Sequence, residues 1–156
     1  MSLDAMVPRL EALVQEELGV QRQILENLTA QEAALLAADG DAVDALLVDA
    51  RRLMAGATSR DTRRRMLLKD FERLWGVSAK SLTLGSIAAR LEGSGRRLKR
   101  LRTELSDMLR ETARTSTRVR TYARFQQGII RDTVERVIES GGGRPSEGGT
   151  LVNAEA

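Results

Sequence analysis

The sequence has no cysteine and no histidine. Disulfides, thiolate or imidazole metal ligands, and Cys or His nucleophile and base pairs are therefore excluded. Aromatic residues are scarce, with one Trp, one Tyr and two Phe, and there are only two Pro. Little is left from which to build β-strands, which favour aromatic and β-branched side chains. No apolar run approaches the ~20 residues that a membrane-spanning helix requires. The longest, Ala33 to Ala38, is mostly alanine. No basic segment followed by an apolar stretch opens the chain, so no secretory signal is expected and the expected location is the cytoplasm.

What is present is leucine, alanine and charge. Apolar residues make up 42% of the 156 positions and charged residues 30%. The net charge of +3 hides an asymmetry. Residues 1–50 carry ten acids against two Arg; residues 51–138 carry nineteen Arg and three Lys against nine acids; residues 139–156 carry three acids and one Arg. A basic middle suits nucleic acid, an acidic membrane or an acidic partner. It also suits simple neutralisation of an acidic first helix lying beside it.

Apolar spacing of three and four predicts helices. The first covers about 4–37, through Leu3, Met6, Leu10, Leu13, Val20, Ile24, Leu28 and Leu35, with Glu17 and Gln31 interrupting. Asp39-Gly40-Asp41 is expected to end it, Gly40 as a left-handed cap and Asp41 as the cap of the next helix. The second spans about 42–75 along Val43, Leu46, Ala50, Leu53, Ala57, Arg60, Arg64, Leu67, Phe71 and Leu74. Two Arg do not fit a dry seam, so that helix either projects there or meets acids from a neighbour. A short helix over 82–91, capped by Ser81 or Thr83, leads past Gly93-Ser94-Gly95 to a long third segment over 96–139. Its seam runs Leu98, Leu101, Leu105, Met108, Thr112, Thr115, Val119, Tyr122, Gln126, Ile129 and Thr133, and its length as a helix is about 65 Å. The fold expected is all-α: an elongated antiparallel bundle of three long helices plus a short connector over residues 1–140, followed by a flexible glycine-rich tail over 141–156.

No motif supplies converging polar groups for catalysis, so the chain is not expected to be an enzyme; no catalytic residue, metal or cofactor is assigned. The pair Glu16 and Glu17 diverges on a helix, and Asp39 with Asp41 is explained by capping. Arg110, Arg114 and Arg118 form one strip and Arg120 with Arg124 another, but interleaved acids and scarce aromatics weigh against nucleic acid. The better candidate is a partner-binding arc near the end of the third segment. Val119, Tyr122, Phe125, Ile129, Ile130, Val134 and Val137 spread apolar groups wider than one seam, as core against the first segment or as a face for a partner helix. Beyond the glycines, Leu151 and Val152 form a second, tethered candidate contact.

The order of parts resembles the FlgN family of flagellar type III export chaperones. The residues that carry it are Ala37-Ala38-Asp39-Gly40-Asp41-Ala42-Val43-Asp44-Ala45-Leu46-Leu47 between the first helices, Thr83-Leu84-Gly85-Ser86-Ile87-Ala88-Ala89-Arg90-Leu91 before the last, and the closing Gly149-Thr150-Leu151-Val152-Asn153-Ala154-Glu155-Ala156. The resemblance implies a cytosolic chaperone. It would bind the C-terminal helical segments of flagellar hook-associated (hook–filament junction) proteins, keep them unassembled and bring them to the flagellar export apparatus. A homodimer is compatible with the seams. A basic nucleic-acid-binding or coiled-coil scaffold protein is the alternative.

Overall fold

The computed structural model describes residues 2–141. Five helices follow one another: α1 Leu3–Leu36, α2 Gly40–Met54, α3 Ala57–Trp75, α4 Leu84–Arg90 and α5 Arg96–Gly141, with single 3-10 turns at Ala79–Ser81 and Glu92–Gly95. There is no strand among the described residues. The all-α expectation holds. The described residues fall into two units, the first ending at Tyr122 within α5 and the second beginning at Ala123.

The expectation of one helix over 42–75 is corrected, because the chain breaks between Met54 and Ala57. Ala55 N–H turns back to the Arg52 carbonyl, and Gly56 precedes α3. Glycine costs about 1 kcal/mol in a helix interior relative to alanine. Here it also gives room, since a Cβ on Gly56 would sit 2.8 Å from a guanidinium nitrogen of Arg60. The junction before α2 is also one step off the expectation. Ala38, not Gly40, takes the left-handed conformation, with φ 54°. Its neighbour Asp39 sends its N–H back to the Ala34 carbonyl, the bond that closes a helix end of this type. Asp39 rather than Asp41 is the cap, accepting from Ala42 N–H, and Asp41 lies in the first turn at the positive end of the helix dipole. Thr83 caps α4 in a reciprocal box with Ser86.

In the first unit the apolar face of α1 is the axis of the packing. Met6, Val7, Leu10, Val14 and Leu18 gather with Phe71 of α3, Leu82, Ile87, Ala88 and Leu91 around α4, and Leu98 and Leu101 of α5. α2 and α3 run back along α1: Asn27 bonds to Leu46, Glu17 to Arg60 and Glu16 to Arg63. α5 runs the same way as α1, with Arg97 meeting Glu11 and Arg118 meeting Glu32. Farther along, the core turns polar. Gln31 donates to Asn27 Oδ1 at 2.6 Å, Asn27 donates to the Leu46 carbonyl at 3.0 Å, and Thr115 is buried while accepting from Arg118. The seam interruption at Gln31 is thus a satisfied buried layer.

Close approach of α4 to the start of α5 depends on Gly95. A Cβ there would stand 2.3 Å from the Ala88 carbonyl oxygen, which is backbone and cannot swing aside. Gly93, two residues earlier, has open space. Gly95→Ala is expected to destabilise the protein by roughly 1–3 kcal/mol, whereas Gly93→Ala leaves it within about 0.5 kcal/mol of the original. Parallel thermal melts followed by circular dichroism check this; equal melting of the two variants would contradict the packing.

Candidate docking surfaces

Four arginine–carboxylate pairs join α3 and α5 to α1, the longest of them Arg97 with Glu11 at 3.5 Å. Arg60, with its side chain only 11% exposed, donates to Glu17 at 2.9 Å. Arg63 clasps Glu16 with two donors at 2.8 and 2.6 Å, and Arg118 does the same to Glu32 at 2.9 and 3.3 Å. Of the two Arg in the second seam, Arg60 meets acid from a neighbour, the second of the two outcomes expected. Arg64 and Arg65 instead share Asp61 of their own helix. Arg110 and Arg114 pair with Asp107 and Glu111 one turn back. Much of the basic strip is thus spent inside the fold. Arg90 stacks over Trp75, 5.5 Å from the ring centre.

An apolar groove of about 460 Å³ opens in the first unit. Leu10, Leu13 and Val14 of α1 make its floor, Leu68 of α3 and Leu105 and Leu109 of α5 its walls, and Leu82 to Leu84 close one end. The Glu17–Arg60 pair and Asp61 with Arg64 mark the α3 side. Sequence reasoning placed Leu10, Leu13 and Leu105 in seams and did not foresee that they would line a groove. The available signal was the matching pair of defects, Glu17 in one seam and Arg60 in another. Side chains of that size and charge cannot close a dry interface.

The expected partner arc is divided. Val119 is buried in the first unit and offers no surface, and Tyr122 is half-buried there. In the second unit every apolar member is open to solvent: Phe125 67%, Ile129 49%, Ile130 62%, Val134 50% and Val137 62% exposed, joined by Ile138. At ~100° per residue, Ile129 to Ile138 cover roughly half of the helix circumference. Arg124, Arg131 and Glu135 lie on the other half. An exposed apolar face of this extent is a candidate interaction site. Leu151 and Val152 lie outside the described residues, as does the glycine-rich linker.

Among the described residues no group of three acidic side chains is placed to hold a metal ion, and no helix is long and apolar enough to cross a membrane. No protein-family model, no curated protein and no solved structure matches the chain.

Two carboxylates titrate below their ordinary values. The hydrogen bonds from Arg63 hold Glu16 down, and those from Arg65, with Arg64 adding charge, hold Asp61 down. A carboxylate whose pKa is lowered by folding stabilises the fold fully above its unfolded value and ceases to do so as pH falls through the folded one. Melting temperature is therefore expected to fall as the solution is acidified through and below the ordinary carboxylate range. Arg63→Ala is expected to return Glu16 to its usual titration, observed by NMR of its side-chain carboxyl. A Glu16 titration that does not move would contradict the pairing.

Proposed function

We propose that the chain is an export chaperone of the FlgN type, acting in the cytoplasm by binding and without catalysis. Its clients are the C-terminal helical segments of flagellar hook-associated proteins, which it keeps unassembled until they reach the export apparatus. The observation that carries this reading is the half-circumference apolar face of α5 from Phe125 to Ile138, open to solvent in the described structure. Amphipathic segments that fold only on assembly would find on it the apolar half they lack. The all-helical fold and the order of junctions along the sequence support the same reading. The face is mixed with polar positions such as Gln126 and Thr133. Such an interface suits release at a gate better than a permanent assembly.

The test is calorimetric titration with the C-terminal segment of a hook-associated protein. Ile129→Asp with Val134→Asp places two charges on an exposed face, so far-ultraviolet dichroism and melting should stay unchanged. Binding should weaken at least about a hundredfold, since each buried aliphatic side chain contributes roughly 1.5–3 kcal/mol. Unchanged binding, or tight binding to duplex DNA that falls steeply with salt, would reject the chaperone reading in favour of another.

A further inference from the structure

The groove between α3 and α5 is unfilled by any side chain of the first unit, and its rim is not electrically neutral. Inside, Glu17 and Arg60 cancel. At the rim Asp61 serves two arginines at once, Arg64 and Arg65, and one positive charge remains. At the closed end the guanidinium of Arg102 lies against Gly85, where a Cβ would come within 3.1 Å of it, beside the groove-lining Leu84. Among the described residues Arg102 makes no ion pair. Positive charge thus stands on the α3 wall and at the α5 end, with an apolar trough between.

We propose that this groove docks an amphipathic helix with an apolar ridge and acidic flanks, supplied by a partner protein, at a site separate from the face proposed for the client. The floor is aliphatic throughout, and a volume of about 460 Å³ accommodates a few aliphatic side chains at the i, i+3, i+4 and i+7 positions of such a ridge. Carboxylates along the ridge edges meet Arg64 and Arg102, which confers selectivity against a basic helix of the same shape. Leu109, 45% exposed, lies on the α5 wall where the ridge enters.

The experiment uses the full chain and two synthetic helical peptides of about five turns each. Both carry the same leucine ridge; one has glutamate flanks and the other lysine flanks. Binding is read by fluorescence anisotropy of the labelled peptide, and its place by NMR shifts of the Leu10, Leu13, Leu105 and Leu109 methyls. The glutamate peptide is expected to bind at least about tenfold more tightly than the lysine peptide. The double variant Arg64→Glu with Arg102→Glu, both exposed, should reverse that order, and Leu109→Glu should abolish binding with melting unchanged. The Ile129→Asp, Val134→Asp variant should bind the glutamate peptide as the original does, which separates this site from the client face. Equal affinity for both peptides, or shifts confined to methyls beyond Tyr122, would overturn the proposal. So would a chain that sediments as a dimer, loses the dimer with Leu109→Glu and takes neither peptide, because a second copy would then fill the groove.

Discussion

The pairing of Arg60 with Glu17 constrains the rest of the first unit. Each residue occupies a position where its helix would otherwise carry an aliphatic side chain into the seam. Neither charge can be drawn into a largely buried place unless the other is there to meet it. The pair therefore fixes one register of α3 on α1, and Arg63 on Glu16 repeats the constraint one turn away on the more exposed edge. It also accounts for Gly56, because the Arg60 guanidinium lies where a side chain at that position would be. The helix break, the register and the groove beside the pair are consequences of placing two charges in a seam.

The charge asymmetry of the sequence resolves along the same lines. The acids Glu11, Glu16, Glu17 and Glu32 of α1 each meet an arginine from α3 or α5. Arg60, Arg63, Arg97 and Arg118 thus find their partners on the acidic first helix. Neutralisation is incomplete, however. Arg102 at the groove end and the doubly shared Asp61 leave positive charge beside apolar surface.

Helix type and most helix limits were legible because spacing of three and four dominates the chain. Gly76 and Gly95 punctuate it where expected: Gly76 takes a left-handed cap with φ 64°, and Gly95 permits the contact of α4 with α5. The break at Gly56 was not legible. One glycine in a strongly periodic stretch is tolerated in many helices, and spacing alone does not tell a break from a continuation. The cap at Ala38 was missed for a related reason. Glycine is the usual occupant of a left-handed cap, but Asp39 can cap α2 only if the turn comes two residues before Gly40. The arc near the end of α5 was legible as apolar and not as exposed. Periodicity reports which residues share a face and not which of them a neighbouring element covers.

The polar layer explains why such a long interface remains a modest one. Asn27 and Gln31 of α1 and Thr115 of α5 are buried where leucines would give a tighter interface. Their hydrogen bonds are satisfied, so the cost is low, but the net gain per bond is only about 1 kcal/mol. Thr112 is less well served: its hydroxyl oxygen is buried and has no partner. Stability is therefore concentrated near Phe71, Ile87 and Leu98, where the dry core lies, and declines along α5 toward Val119. Selection for stability alone would have filled these positions with leucine. Hydroxyls and amides at these positions specify register through directed hydrogen bonds while contributing less than a dry leucine seam would.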